Sequence, residues 1–266
     1  MTQEAIFLKL GGSLITDKTG VEAVRFDVLR RVVQEIKEAK TQNPNLRLVL
    51  GHGSGSFGHV VGAKYGTRHG VNGAEAWRGF TEVSASALRL NRIVTEALLD
   101  GGLSAISLQP CASVTCVDGQ IEQIAAAPVL AALDAGLIPV IHGDVAFDTV
   151  RGGVIVSTEE VMMALADKIR PSWLLLAGET NGVYDLQQAV IPNISSTNIQ
   201  EVESALGGSR GTDVTGGMAT KVHSMLALVA AHPTMQIRIF SGLVANELKT
   251  VLIDPTTARG TRIFQA

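Results

Sequence analysis

Leu46-Arg47-Leu48-Val49-Leu50-Gly51-His52-Gly53-Ser54-Gly55-Ser56-Phe57-Gly58-His59 runs a short apolar strand into a turn dense in glycine, with a histidine near each end. Glycines spaced this way let several backbone N–H groups converge on one anion, because no Cβ blocks the approach. The closing histidine adds a donor whose charge responds near neutral pH. The turn reads as a phosphate cradle at the end of a strand.

The same punctuation recurs along the chain. Ala5-Ile6-Phe7-Leu8-Lys9-Leu10 reads as a strand ending in Gly11-Gly12-Ser13. Apolar positions at helical spacing mark residues 26–40, and a longer helix is expected over 74–100, stopped by Gly101-Gly102. A strand is expected near 103–108, and 114–124 with Asp118-Gly119 at its centre reads as a hairpin. Helix 128–135 then precedes strand 137–141 and the turn His142-Gly143-Asp144. Helices 158–169 and 217–231 precede strands 173–177 and 236–240. Strands alternating with helices predict an α/β fold, a mostly parallel central sheet sandwiched by helices. Ligands bind such sheets at the carboxyl ends of their strands. Residues 1–266 read as a single domain, with a functional division near Leu174.

Composition narrows the class. The 266 residues, 46% hydrophobic and 18% charged, suit an ordinary globular protein. A net charge of −3 gives no electrostatic footprint for nucleic acid or an anionic membrane, so a phosphate must be caught locally. No apolar run approaches a membrane span, and Lys9, Asp17, Lys18 and Glu22 interrupt any leader pattern; a cytoplasmic location is expected. Cys111 and Cys116 read as buried free thiols, and no clustered Cys or His completes a metal site.

Each motif has a plain reading beside a chemical one. Gly53-Ser54-Gly55-Ser56-Phe57-Gly58 formally matches the dinucleotide fingerprint, with Glu75 beyond it. Against that reading, this is the second glycine turn, and His59-Val60-Val61-Gly62 does not open a clean helix. Lys9 lies either on an edge strand in water or at a strand-end site where a phosphate offsets its desolvation. Lys18 either reaches that site or decorates a turn. Asp213-Val214-Thr215-Gly216-Gly217-Met218-Ala219-Thr220-Lys221 places a lysine near a helix N-terminus, against the helix dipole, where an anion would explain it. Ser157-Thr158-Glu159-Glu160 is fully explained as a helix cap with acidic first-turn residues, and His142-Gly143-Asp144-Val145 as an Asp turn. No Walker A pattern occurs.

Together these segments resemble the amino-acid kinase fold family over nearly the whole chain, and within it the isopentenyl phosphate kinases. The resemblance rests on residues 9–18, His52 to His59, His142-Gly143-Asp144-Val145, and 213–218 with Lys221. Ser54 stands where glycine is usual, Glu159 where a Ser-Gly-Asp-Asp type segment carries an aspartate that orients lysines, and 178–184 is a divergent nucleotide-side segment.

The resemblance implies ATP-dependent phosphorylation of isopentenyl phosphate, with dimethylallyl phosphate as a second substrate, Mg²⁺ accompanying ATP, and a homodimer. It implies an acceptor lobe over about 1–173 and a nucleotide lobe over 174–266. Lys9, Lys18, His59 and Lys221 are the implied catalytic residues. Gly53, Ser54, Gly55, Gly58, His59, Gly143 and Asp144 would hold the acceptor phosphate, with Phe80 and Val83 on an apolar stripe against the tail. That stripe, with Ala76 and Ala87, reads equally as core. Lys9, Gly11, Gly12, Ser13, Lys18, Gly178, Thr180, Tyr184, Gly216, Gly217 and Lys221 would face ATP, with Glu159 as the lysine-orienting acid and no protein ligand assigned to the metal. Competing readings are a kinase of the same fold acting on another acceptor such as fosfomycin, an NAD(P)-binding oxidoreductase, and a non-catalytic nucleotide sensor.

Overall fold

The computed structural model describes the backbone of residues 4–206 and 217–266, and the side chains there except at 59, 60 and 204–206. The first half runs β1 (Ala5–Leu10), α1 (Gly12–Ile15), α2 (Phe26–Gln42), β2 (Arg47–His52), α3 (Gly55–Tyr65), α4 (Gly73–Asp100) and β3 (Ala105–Ser107). Next come β4 (Val114–Val117), β5 (Gln120–Ile124), α5 (Ala127–Asp134), β6 (Ile138–His142), β7 (Asp144–Asp148), β8 (Gly152–Val156) and α6 (Thr158–Ile169). The chain closes with β9 (Trp173–Gly178), β10 (Asn193–Ser195), α7 (Ile199–Leu206), α8 (Gly217–Ala231), β11 (Gln236–Ser241), α9 (Glu247–Ile253) and β12 (Thr261–Phe264).

Every residue of β1 is buried, as expected for a central parallel strand covered on both faces. The main sheet has the order β10-β12-β11-β9-β1-β2-β6-β3, and only the β11–β12 pairing is antiparallel. Lys9 is therefore on an interior strand, paired with Gly51 on one side and Leu176 on the other, and the edge-strand reading falls. The division near Leu174 runs through this one continuous sheet, since β9 bonds both β1 and β11.

Alternation along β1 sends Ile6, Leu8 and Leu10 into one core with α1, α2, α4 and α9. Ala5 and Phe7 enter the other core, with α5, α6, α7 and α8. Strand residues two apart share a face, so Lys9 projects to the Phe7 side, toward α6 and α8.

A second sheet, β5-β4-β7-β8, covers part of that side. Its β4–β5 hairpin turns at Asp118 and Gly119, both with positive φ, as the Asp-Gly pair demands. The β7–β8 hairpin was not legible, because its residues are buried almost continuously and read as one apolar stretch. Residues after Gly55 do open a helix, against the sequence reading. Gly58 and Gly62 weaken helix propensity there, and tertiary contacts override it: Ser56 and Phe57 are buried. Both cysteines are free, but only Cys116 is buried; Cys111 is partly exposed. Among the described residues, no helix is long and apolar enough to cross a membrane.

Candidate active site

Lys9 is almost wholly buried, and isolating such a charge from water costs several kcal/mol. Its Nζ lies 2.8 Å from Glu159 Oε1, and Lys221 Nζ approaches the same oxygen at 3.5 Å. Two cations from β1 and α8 thus converge on one carboxylate in the first turn of α6. Burial works to raise the Glu159 carboxyl; the Lys9 and Lys221 charges overcome it and hold the group at about 2. Desolvation lowers the Lys9 ammonium, against the pull of Glu159.

Local structure explains why Glu159 is available. Ser157 and Glu160 complete a reciprocal capping box, with Ser157 Oγ accepting from Glu160 N at 3.1 Å and Glu160 Oε2 accepting from Ser157 N at 2.5 Å. The cap predicted from sequence is present and uses Ser157 and Glu160, leaving Glu159 to the lysines. Gly51, beside Lys9 in register, lets α6 approach: a Cβ there would lie 2.6 Å from Met162 Cε and 2.8 Å from Thr158 Cγ2.

The two glycine turns abut. A Cβ on Gly12 would lie 2.4 Å from Gly55 N, and one on Gly53 would lie 2.7 Å from Gly12 N. Thr16 ties the turns together, its Oγ1 accepting from Ser56 N at 2.9 Å and donating to Gly12 O at 2.8 Å. Gly11 N–H and Gly53 N–H are used within the fold, donating to Ala177 O and Leu10 O. Gly12, Ser13, Ser54 and Gly55 N–H groups donate to no protein acceptor among the described residues. Four donors without a partner among the described residues, close to a buried lysine, are what an anion-binding surface requires.

Other sequence-selected residues are placed less uniformly. Gly58 sits on α3, its N–H directed to Ser54 O at 3.4 Å. His59 lies on α3, but its side chain is outside the described residues, as are Asp213 to Gly216. Gly217 opens α8. Lys18 is exposed on the turn after α1 and enters no ion pair among the described residues. Gly178 ends β9, and Thr180 and Tyr184 are partly buried beyond it, with Tyr184 Oη accepting from Asn181 N at 3.3 Å.

Gly143 separates β6 from β7. Asp144 is buried, with Oδ1 accepting from Val145 N at 2.8 Å and Oδ2 facing His142 Nε2 at 3.7 Å, beyond hydrogen-bond distance. Burial raises its carboxyl, opposed by Val145 N–H and the Ser84 and Cys111 side chains. Phe80 and Val83 join Val71 and Val145 in a small separate cluster, edged by Val61, Ala76, Cys111 and Ile155. Phe80 also packs on the partly exposed Trp77 and exposed Phe147. Ala87 is buried further along α4.

Sequence reasoning missed a buried polar layer under the second glycine turn. His52 and His142 end neighbouring strands β2 and β6 in register, and their rings stack 5.6 Å apart at 6°. Burial lowers both; desolvation, then the neighbouring His52, pushes His142 to about 3. Asn91 reaches this layer from α4, 3.1 Å from His52 Nε2. The available signal was that His52 and His142 each close an apolar strand just before a glycine.

Comparison with known proteins is specific. Residues 4–241 match the amino acid kinase family. The isopentenyl phosphate kinase of Methanocaldococcus jannaschii is 35% identical over 81% of this chain and 84% of its own length. That of Haloferax volcanii is 35% identical over 91% and 95%. A solved structure titled "X-ray structures of isopentenyl phosphate kinase" superposes with a TM-score of 0.81 at 28% identity, covering 97% of this chain and 99% of that one.

Proposed function

The chain belongs to the amino acid kinase family, alongside isopentenyl phosphate kinases, and from that premise we propose that it transfers the ATP γ-phosphoryl group to isopentenyl phosphate, giving isopentenyl diphosphate and ADP. Dimethylallyl phosphate is the second acceptor in this reading. The observation that supports it most is the convergence of Lys9 and Lys221 on Glu159 beside two abutting glycine turns with four unpaired N–H donors.

The chemistry asks for this arrangement. The second pKa of a phosphate monoester is near ~6, so the attacking oxygen is largely ionised at pH 7 and needs no base. That oxygen bonds to Pγ while the bond from Pγ to the β–γ bridging oxygen breaks, and ADP leaves with the electron pair. The obstacle is bringing two anions together, which positioned cations and N–H donors overcome. In this proposal Lys9 and Lys221 neutralise charge on the transferring group, held in place by Glu159. Gly12 and Ser13 N–H groups face ATP, and Ser54 and Gly55 N–H groups face the acceptor phosphate with His59. Lys18, Gly178, Thr180, Tyr184, Gly216 and Gly217 complete the ATP side, and Gly143 and Asp144 border the acceptor.

Among the described residues no three His, Cys, Asp or Glu side chains gather to cage a metal. In this reading Mg²⁺ arrives on ATP, held mainly by phosphates and water. When bound it supplies neutralisation of phosphate charge. Phe80 and Val83, with Val145 and Ile155, form the apolar wall assigned to the isopentenyl tail. A homodimer, a cytoplasmic location, and acceptor and nucleotide lobes meeting near Leu174 belong to the same proposal.

The test is ADP release, with ATP and Mg²⁺, over isopentenyl phosphate, dimethylallyl phosphate, fosfomycin and glutamate. The expected order places the two prenyl monophosphates well above the rest. Turnover of fosfomycin alone reassigns the acceptor, and no ADP release with any of them returns the chain to a non-catalytic nucleotide binder.

A further inference from the structure

We propose that His52 is a positioning residue, which through the relay Ser107–Asn91–His52–Gly53 fixes the Gly53–Ser54 peptide and so aims the Ser54 N–H at the acceptor phosphate. The proposal rests on the kinase reading above and concerns the same acceptor turn.

The relay is continuous and runs inward from Ser107, exposed on β3, to the buried Asn91 and His52. His52 Nδ1 lies 3.2 Å from Gly53 O, His52 Nε2 lies 3.1 Å from Asn91 Oδ1, and the Asn91 amide nitrogen bonds Ser107 Oγ. His52 and Asn91 are both buried. His142 stacks on the His52 ring, which removes room for the imidazole to turn.

Proton counting then sets the tautomer. In the arrangement above both ring nitrogens face oxygen acceptors, while a neutral imidazole carries a single N–H. Desolvation favours that neutral form. A half-turn of the Asn91 amide resolves the conflict, because its oxygen and nitrogen are nearly interchangeable in shape. The Asn91 NH₂ then donates to His52 Nε2, Ser107 hydroxyl donates to Asn91 Oδ1, and His52 Nδ1–H donates to Gly53 O. The Gly53 carbonyl accepts from no other donor among the described residues, so the ring decides where that oxygen points.

Peptide planarity carries the effect to the site. Carbonyl and following N–H point in opposite directions across a trans peptide. Holding Gly53 O toward His52 therefore turns Ser54 N–H away from it, and that N–H has no acceptor among the described residues. Backbone on the far side is too close for a side chain, since Gly12 N would lie 2.7 Å from a Gly53 Cβ. A glycine turn that tight still has a soft peptide plane, and His52 supplies the missing restraint.

The first measurement needs no variant to fold as an enzyme. Long-range ¹H–¹⁵N spectra of imidazole-labelled protein are expected to show His52 as the neutral Nδ1–H tautomer, its signals assigned by their loss in His52→Asn; the Nε2–H tautomer overturns the relay. The second uses amide mimics. Asn places its NH₂ near the Nδ1 position and Gln near Nε2, so only His52→Asn keeps the Gly53 clamp. His52→Gln is expected to raise KM for isopentenyl phosphate about tenfold, the loss of one such hydrogen bond, with KM for ATP changed less than about twofold. His52→Asn is expected to recover most of the acceptor KM. Equal losses in both variants, or KM for ATP rising as much as KM for acceptor, overturn the proposal. If the wild-type protein turns over no isopentenyl phosphate, the kinase reading fails, and the tautomer still decides the relay.

Discussion

The two sides of the candidate site are built to different tolerances. On the tight side, the proposed acceptor turn Gly53–Gly55 touches Gly12 of the proposed ATP-facing turn backbone to backbone, and His52, His142, Asn91 and Asp144 are buried. On the nucleotide side, a Cβ at Gly178 would find its nearest neighbour 4.0 Å away, Glu179 and Asn181 are exposed, and the Lys221 side chain is 38% exposed. Tight packing leaves little room for error in placing a small phosphate. An open rim suits a large nucleotide that must enter and leave. The lesson is that stability and chemistry are fused on one side and separable on the other.

Glu159 joins the two sides, and removing its charge gives the largest expected effect. Glu159→Gln strands the buried Lys9 without a counter-ion, which typically costs about 3–5 kcal/mol of stability. Lys221→Ala leaves Lys9 paired, so its melting temperature should stay near wild type while kcat falls roughly 10²–10³-fold, as for loss of one transition-state donor. Thermal melts with steady-state kinetics check both. If Lys221→Ala unfolds the protein as readily as Glu159→Gln, the two sides are not built differently.

The next contrast uses glycine alone. Gly12→Ala drives a methyl into Gly55 backbone atoms at 2.4 and 2.7 Å, and neither strand end can yield without moving β1 or α3. Overpacking of this kind costs about 1–3 kcal/mol, and displacement of the N–H donors should remove activity with it. Gly178→Ala meets open space and should change stability by less than about 0.5 kcal/mol. Urea denaturation of the pair sharpens the comparison, and equal midpoints would erase it.

These differences also explain what could be read in advance. Alternating strands and helices were legible because β1, β2, β6, β9 and β11 are short apolar runs punctuated by glycine, serine or histidine. Lys9 and Lys221 stood out because a lysine in a buried strand and a lysine near a helix start both oppose their local preference. Their meeting at Glu159 was not legible from residue patterns. It depends on the Phe7 face of β1, on Gly51 admitting α6, and on a capping box that consumes Ser157 and Glu160. His52 and Asn91 escaped for a related reason, since 39 residues separate partners that only the α4 packing brings together. Phe80 remained ambiguous because a stripe at helical spacing looks the same whether it meets a neighbouring sheet or a ligand.

Acid should act first on the tight side. His142 ends β6 with neither ring nitrogen in a hydrogen bond among the described residues, its Nε2 3.7 Å from Asp144 Oδ2, and burial, then the neighbouring His52, pushes it from an ordinary 6.5 to about 3. A histidine held neutral in the fold titrates freely once unfolded. Its contribution to stability is therefore complete above pH 6.5 and is lost progressively as pH falls toward 3. Between pH 7 and pH 5 this amounts to roughly 2 kcal/mol for one such group, and His52, lowered in the same direction, adds to it. Asp144, raised by burial, takes up its proton more readily in the fold and offsets part of the loss at the acid end. Unfolding free energies from urea melts at pH 7 and pH 5 should converge in His142→Phe by about that 2 kcal/mol relative to wild type, whatever the absolute cost of the larger ring. A wild-type slope in His142→Phe would show that the buried layer takes its proton elsewhere.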